Sequence, residues 1–192
     1  MNPFEFSIPQ NIIVGAGTLA KLPECAKKMG GTHAMILSGP TLKKMGVVDK
    51  AADSLKAAGI AADIFTDIEA NPSVTTVEKA TESYLASGAD FLVALGGGSP
   101  MDASKAISLL AANPSAIDHA EERLYHPELM QGYPVAAVPT TSGTGSEVTP
   151  YAILTRHDLH TKQSIAHKWF ADLAFVDAGY VKTSSYENMV ST

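Results

Sequence analysis

The chain has 192 residues, enough for one domain with a buried core, and 45% of them are hydrophobic against 18% charged. The 14 basic and 20 acidic residues leave a formal net charge of −6 without a Lys/Arg cluster, so nucleic acid or an anionic membrane is not an expected partner. The single cysteine, Cys25, excludes an intrachain disulfide. Since no apolar run approaches the length of a membrane span and no secretory signal is predicted, a cytoplasmic location is expected.

Short apolar runs alternate with stretches of helical periodicity along the chain. The predicted elements, in chain order, are a strand at 11–14, a helix at 18–29, a strand at 33–37, a helix at 47–58, a strand at 61–65, a helix at 74–87, a strand at 91–95, a helix at 99–112, a surface excursion at 113–133, a strand at 135–138, and short strands at 151–155, 164–167 and 174–176. Ser73 is the predicted N-cap of the third helix and Gly88 its stop. This alternation predicts an α/β fold with a parallel sheet flanked by helices.

The strongest chemical signal is the run Gly96-Gly97-Gly98 between a buried strand and a helix. Glycines let a phosphate group approach the backbone, and a helix N-terminus offers unpaired N–H groups and a positive dipole end. Ser99 is predicted to cap the helix or to donate to a phosphate oxygen, with Asp102 and Lys105 near the anion. A tight strand-to-helix turn needs only one glycine, so phosphate binding is favoured.

A second polar loop, residues 139–149, follows the next buried strand. It carries five hydroxyl side chains and two glycines within eight residues, which could line a polar pocket with donors. The alternative is a solvated Ser/Thr loop. Because ligands of parallel sheets bind beyond the carboxyl ends of the strands, two such loops favour one extended ligand that crosses both.

Two further patterns are interpreted without a ligand. Residues 15–20 match the G-x-G-x-x-A form of a dinucleotide fingerprint, but the acidic residue expected about twenty residues later is absent, so the match is interpreted as a turn. Six histidines are scattered along the chain, and the closest pair, His157 and His160, has no third ligand in view. No metal site is therefore predicted in this sequence.

The two loops resemble the signature segments of the iron-containing (group III) alcohol dehydrogenases. Residues 96–105 are similar to that family's GGGS-x-x-D-x-x-K stretch, and residues 139–149 resemble its second signature. Further matches to the family are Ile8-Pro9, Gly15-Ala16-Gly17, Asn71-Pro72, Lys162 and Phe175-Val176-Asp177. The resemblance covers nearly the whole chain and is greatest to the lactaldehyde/propanediol oxidoreductase branch.

The resemblance implies a Rossmann-like domain, the N-terminal domain of the dehydroquinate synthase-like fold, that binds NAD or NADP in a homodimeric oxidoreductase acting on a primary alcohol or diol, or on the aldehyde. The pyrophosphate would lie on Gly97, Gly98 and Ser99. The full implied set of cofactor-binding residues is Gly39, Asn71, Gly97, Gly98, Ser99, Asp102, Thr140, Thr141, Thr144, Thr149 and Lys162. Within it, the threonines at 140, 141 and 144 would line the adenine and ribose side.

Two departures from the family pattern bear on function. The family often has an aspartate that binds the ribose 2′-hydroxyl where this chain has Gly39. With Thr41, Lys43 and Lys44 nearby, a 2′-phosphate would not be repelled, so NADP is an acceptable cofactor beside NAD; the alternative is that Gly39 merely makes a turn. The family's metal ligands, an aspartate and three histidines, belong to a helical C-terminal half. All 192 residues are assigned to the dinucleotide-binding domain, so Fe²⁺ or Zn²⁺ is expected only with the other domain and this chain alone is expected to be inactive.

Two alternatives remain open at this stage. One is a non-catalytic nucleotide-binding module or remnant, and the other is a relative of the glycerol dehydrogenase or dehydroquinate synthase type, which shares the glycine loop. The threonine-rich loop favours the alcohol dehydrogenase branch.

Overall fold

The computed structural model describes residues 11–126, 131–165 and 169–181. The strands in these ranges are β1 (Asn11–Val14), β2 (His33–Leu37), β3 (Ala61–Phe65), β4 (Phe91–Gly96), β5 (Val135–Pro139), β6 (Ile153–Arg156), β7 (Thr161–Ser164) and β8 (Leu173–Val176). The α-helices there are α1 (Leu22–Lys28), α2 (Pro40–Lys44), α3 (Val47–Ala57), α4 (Val74–Ser87), α5 (Gly98–Ala112), α6 (Ala120–Arg123) and α7 (Ala178–Val181), with 3-10 helices at Thr18–Lys21 and Pro114–His119. None of these helices has the length and apolar character needed to cross a bilayer.

A parallel sheet of six strands, in the order β1-β8-β5-β4-β2-β3, forms the centre of the molecule. Every residue of β4 and β5 is buried, as expected for central strands covered on both faces. The core on one face contains residues of α1 and α3, and the core on the other contains residues of α4, α5 and the β6–β7 hairpin. The predicted α/β fold with a parallel sheet flanked by helices is confirmed.

The chain reverses its direction of travel across the sheet between two neighbouring strands, β2 and β4. After β2 the chain continues through α2 and α3 to β3, and after β4 it continues through α5 to β5. Since α3 and α5 cover opposite faces, the connections diverge and leave a crevice beyond the carboxyl ends of β2 and β4. Ligands of open α/β sheets bind at such switch points.

The helix predicted at 18–29 forms as two pieces, because Pro23 lies in the first turn of α1. A proline has no N–H to donate and is tolerated only at the start of a helix, so the preceding residues adopt the 3-10 turn Thr18–Lys21. The predicted ends of α4 are confirmed: Ser73 Oγ accepts a 3.2 Å hydrogen bond from the Thr76 amide, and Gly88 is left-handed at φ 73°.

Three predictions between residues 113 and 167 were wrong in part. Residues 113–133 are not simply a surface excursion, since they contain a 3-10 helix and α6 with buried Ala116, Ala120 and Leu124. The strand predicted at 151–155 is β6, two residues later, and the strand predicted at 164–167 is β7, three residues earlier; residues 166–167 lie outside the described residues. The sequence of β7, Thr-Lys-Gln-Ser, has no apolar alternation that could have marked it as a strand.

Candidate functional site

A cleft of about 600 Å³ lies beside the N-terminus of α5, between that helix and the β6–β7 hairpin. We call this space the cleft. It is lined by Asn71, Pro72, Gly98, Ser99, Asp102, Thr144, Ser146, Thr149, Tyr151, Ile153, Thr155, Lys162 and Ser164. Six of the residues predicted from the sequence therefore share one cavity with Asn71: Gly98, Ser99, Asp102, Thr144, Thr149 and Lys162.

The first wall of the cleft is the turn from β4 into α5. Gly96 has φ 153°, and a Cβ at this position would lie 2.8 Å from Pro100 Cγ, so the turn requires a glycine there. The N-cap of α5 is Gly97, so the first of the two roles predicted for Ser99, capping the helix, was wrong, and donation to a phosphate oxygen stays a prediction. The amides of the first turn have no partner within the helix, and they lie at the positive end of its dipole.

The threonine-rich loop packs directly against these glycines. The Thr140 amide donates a 2.8 Å hydrogen bond to the Gly96 carbonyl oxygen. A Cβ on Gly97 would lie 3.2 Å from Thr141 Oγ1, and a Cβ on Gly98 would lie 3.2 Å from Thr144 Cγ2. The structure thus brings the two sequence-predicted loops together, and close packing gives a second reason for the glycines.

Asn71 connects the start of α5 with both strands of the hairpin. Its amide donates to Ser99 Oγ at 3.2 Å, and its carbonyl oxygen accepts from Thr155 Oγ1 at 2.9 Å. Its side-chain Oδ1 accepts from Lys162 Nζ at 2.8 Å. Asn71 has φ 57°, a left-handed conformation that asparagine tolerates better than most residues. The predicted residues Ser99 and Lys162 therefore both bond Asn71, which lies between them.

Asp102 and Lys105 bind the second loop rather than project freely into the cleft. Asp102 accepts a short hydrogen bond from Ser146 Oγ and a 3.0 Å hydrogen bond from the Ile153 amide. Lys105 is 1% exposed, and its Nζ donates to the carbonyl oxygens of Ser146 and Tyr151 at 2.8 and 2.6 Å. Lys105 was predicted to lie near the anion, and the structure encloses its ammonium group among loop carbonyls, so it offers no direct contact to an occupant of the cleft.

Gly39 lies at the end of β2, the strand next to β4, outside the lining of the cleft. Its φ of −89° is extended, and a Cβ here would be 3.4 Å from the Ile68 carbonyl oxygen, so a side chain is sterically tolerable. Lys43, on the following helix, forms an ion pair with Asp49. Lys44 is exposed and has no ion pair among the described residues.

The fingerprint-like turn at residues 15–17 is occupied by a side chain of the protein itself. The Asp177 carboxylate accepts hydrogen bonds from the amides of Gly17, Leu19 and Gly179 at 3.0, 3.2 and 2.9 Å. Burial alone would raise the pKa of Asp177, but these amides outweigh it and the pKa lies below its usual range. The geometry agrees with the interpretation of this segment as a turn.

Sequence reasoning predicted Lys162 and the hydroxyls of the second loop but missed the rest of this side of the cleft. Tyr151, Ile153, Thr155 and Ser164 also line it. Tyr151 and Ile153 are 59% and 49% exposed, an unusual exposure for large hydrophobic side chains. That exposure is visible only once the hairpin is placed over α5, and no motif in the sequence marks these residues.

The described residues contain no group of three or more His, Cys, Asp or Glu side chains close enough to hold a metal ion. His157 and His160 are exposed at the turn of the hairpin. The described part of the chain therefore does not fit a metal centre by itself.

The sequence matches the profile of the iron-containing alcohol dehydrogenases over residues 9–178, and the chain belongs to that family. It is 35% identical over 165 residues to the lactaldehyde reductase of Escherichia coli K12, covering 85% of this chain and 43% of that protein. It is 35% identical over 181 residues to the NADPH-dependent butanol dehydrogenase of Clostridium saccharobutylicum, covering 93% and 46%.

A solved structure extends the similarity to three dimensions. The sulfoacetaldehyde reductase of Bifidobacterium kashiwanohense in complex with NAD⁺ superposes with a TM-score of 0.86 at 28% identity, covering 98% of this chain and 50% of that one. The family resemblance predicted from the two loops is confirmed. The chain spans about half the length of the curated relatives it matches.

Proposed function

We propose that this chain binds NAD or NADP at the carboxyl edge of the sheet, as the cofactor-binding part of an alcohol dehydrogenase. The observation that carries the proposal is the convergence of both loops on the first turn of α5, where Thr144 packs so close to Gly98 that a Cβ there would lie 3.2 Å from Thr144 Cγ2. Its unpaired amides and dipole suit a pyrophosphate. In the proposal Gly97, Gly98 and Ser99 hold the pyrophosphate, and Thr140, Thr141 and Thr144 flank the adenine and its ribose.

The nicotinamide side of the cofactor is assigned to the hairpin side of the cleft. There Lys162 and Asn71 form a polar pair at 2.8 Å, suited to ribose hydroxyls, while Asp102 and Thr149 complete the lining. When bound, the nicotinamide ring would accept a hydride from an alcohol carbon or return it to an aldehyde. The role of the described residues is to bind and orient that ring. The substrate class in the proposal is a primary alcohol or diol, or the matching aldehyde.

Between the two nicotinamide cofactors, the proposal favours acceptance of NADP. Gly39 brings no carboxylate to the end of β2, and Lys44 is an exposed cation five residues later. A carboxylate at this position would repel a 2′-phosphate, whereas glycine does not. One relative, the butanol dehydrogenase of Clostridium saccharobutylicum, is named as NADPH-dependent.

The proposal assigns cofactor orientation, and no metal chemistry, to the described residues. They offer no converging set of metal ligands, so a family metal such as Fe²⁺ or Zn²⁺ would take ligands from elsewhere. We therefore propose that the 192-residue chain binds nucleotide without turning over alcohol. We also propose a cytoplasmic setting and a homodimer. The dimer is supported by β1, an edge strand of the described sheet that could pair with another chain and in which Ile12 and Val14 are 39% and 72% exposed.

Calorimetric titration of the purified chain with NAD⁺ and NADP⁺ tests the central claim. Saturable binding of either cofactor is expected, and no heat with both would reject it. The same preparation, assayed with propanediol, ethanol and butanol in the presence of Fe²⁺ or Zn²⁺, is expected to give no turnover. Metal-dependent turnover that is free of contaminating enzyme would reject the claim that this chain is inactive, without affecting the claim that it binds nucleotide. Light scattering at several protein concentrations tests the dimer.

A further inference from the structure

Lys105 is a buried charged residue to which cofactor contact assigns no role. It lies two turns into α5, and its Nζ is 2.8 Å from Ser146 O, 3.2 Å from Ser146 Oγ and 2.6 Å from Tyr151 O. An ammonium group has three N–H donors and no acceptor, so these three acceptors match its full capacity.

Asp102, one turn earlier on the same face of α5, bonds the same segment of chain. Its carboxylate accepts from the Ser146 hydroxyl and from the Ile153 amide, while its Oδ1 lies 3.8 Å from Lys105 Nζ. The two side chains of α5 therefore fasten both ends of residues 146–153, which we call the wall segment.

The wall segment forms one side of the cleft, and the first turn of α5 forms the other. Ser146, Thr149, Tyr151 and Ile153 of the wall segment line the space that Gly98 and Ser99 also line. The length and bonding of Lys105 thus set the separation of the two walls, although its own ammonium group is shielded from any occupant.

Burying the Lys105 ammonium group costs free energy of folding, which argues that it serves something other than stability. Burial lowers the pKa of Lys105 to about 8, against the opposing influence of two carboxylates, Asp102 on its own helix and Glu147 on the wall segment. Apolar side chains in place of both Lys105 and Asp102 would fill the volume without desolvating a charge, and buried charges are best attested where they select one arrangement among several.

We propose that Lys105 is a positioning residue, whose ammonium group holds the wall segment in the arrangement that binds nucleotide. The inference rests on the proposed cofactor binding and deepens it. Lys105 acts without touching the cofactor, by keeping the cleft formed before the cofactor arrives, and such preorganisation raises affinity by lowering the ordering cost of binding.

The test compares Lys105→Met with Lys56→Met, a control at an exposed position of α3 on the other face of the sheet. Without nucleotide, backbone hydrogen exchange in the wall segment is expected to be faster in Lys105→Met than in the wild type, and to be unchanged in Lys56→Met. The Kd for NADH, measured by its fluorescence, is expected to rise about tenfold through lost preorganisation. The melting temperature is expected to fall, because Met leaves the carbonyl oxygens of Ser146 and Tyr151 and the Asp102 carboxylate without their donor.

Unchanged exchange in the wall segment would overturn the inference whether or not nucleotide binds, so its failure is distinct from failure of the proposed function. An equal rise in Kd in the Lys56→Met control would also overturn it, since the loss of affinity would then not depend on the wall segment. If Lys105→Met does not fold, the inference is tested by the pH dependence of NADH binding to the wild-type chain. Its Kd for NADH should rise above pH 8, because a neutral amine has two N–H donors for three acceptors, and a flat profile would overturn the inference.

Discussion

Ser38 ties together the ends of two neighbouring strands: its Oγ donates a 2.8 Å hydrogen bond to the Leu95 carbonyl oxygen. Both residues are fully buried, and the Ser38 amide also bonds the Phe65 carbonyl oxygen at 3.0 Å. Gly39, the N-cap of α2, follows Ser38, and Gly96, the last residue of β4, follows Leu95. The hydrogen bond therefore links the segment that contains Gly39 to the turn that leads into Gly97 and Gly98, at the crevice where the connections diverge.

Gly98→Val should abolish nucleotide binding, with at least a tenfold rise in Kd for NAD⁺ or NADP⁺. A Cβ at this position already lies 3.2 Å from Thr144 Cγ2, and the branched side chain would fill the space proposed for the pyrophosphate. Calorimetry measures the loss. Ala57→Val, at an exposed position of α3, is the control for added bulk. Equal affinity in the two variants would show that the glycine turn is not the phosphate site.

Gly39→Asp should shift the cofactor preference toward NAD⁺, changing the ratio of the two Kd values by roughly tenfold or more through like-charge repulsion of the 2′-phosphate. The backbone at Gly39 is extended, so the substitution introduces no conformational strain. The control is Gly39→Asn, which has nearly the same size without the charge. A ratio that moves equally in both variants, or in neither, would mean that residue 39 does not face the ribose.

The stability of the fold should depend on pH through Lys105. Its folded pKa of about 8 lies below its unfolded value of 10.5, so the unfolded chain binds more protons between these two values. The free energy of unfolding should therefore rise with pH across this window, by about 3 kcal/mol from this group alone. Below pH 8 that contribution is lost.

Urea unfolding of the wild type and of Lys105→Met at pH 7, 8.5 and 10 measures this dependence. The other lysines and tyrosines titrate in both proteins, so the difference between the two curves isolates Lys105. A difference that stays constant with pH would contradict a lowered pKa at this residue.

Ser73→Ala should lower the free energy of unfolding by about 1 kcal/mol, the usual cost of losing an N-cap. The hydroxyl accepts from the Thr76 amide and donates to Glu69, which also accepts from the Ser73 amide at 2.9 Å. Urea unfolding monitored by circular dichroism measures the loss. Thr75→Ala, exposed in the same helical turn, should cost much less, and equal losses would deny Ser73 a special role as a cap.

The central strands and long helices could be predicted because their residues carry strong local signals. The buried run at β4 and the apolar periodicity of α3 and α4 need no distant partner to be recognised. The short helix α2 was missed because none of its residues is buried, so it has no apolar face to produce a pattern. The hairpin was misplaced because β7 is polar at every position.

Both loops could be identified from local composition. In the first, a strand, a glycine run and a helix are adjacent in the sequence, and in the second, hydroxyl side chains and glycines follow a buried strand. The bonds that shape the cleft could not, because Lys105 meets Ser146 and Tyr151 at separations of 41 and 46 residues. From the sequence alone Lys105 is a cation near a helix start. Only the packed loop reveals that its donors are all used within the protein.

At the glycine turn of residues 15–17, the bound anion is a side chain of the protein itself, the carboxylate of Asp177. Its carboxylate takes the amides that the turn would otherwise present to a phosphate, and it comes from a residue 160 positions further along the chain. The two glycine turns therefore differ in what binds their amides. The Asp177 carboxylate binds those of the turn at residues 15–17, whereas those of the turn at residues 96–98 are proposed to bind the pyrophosphate. A short sequence window around either turn contains no trace of that difference.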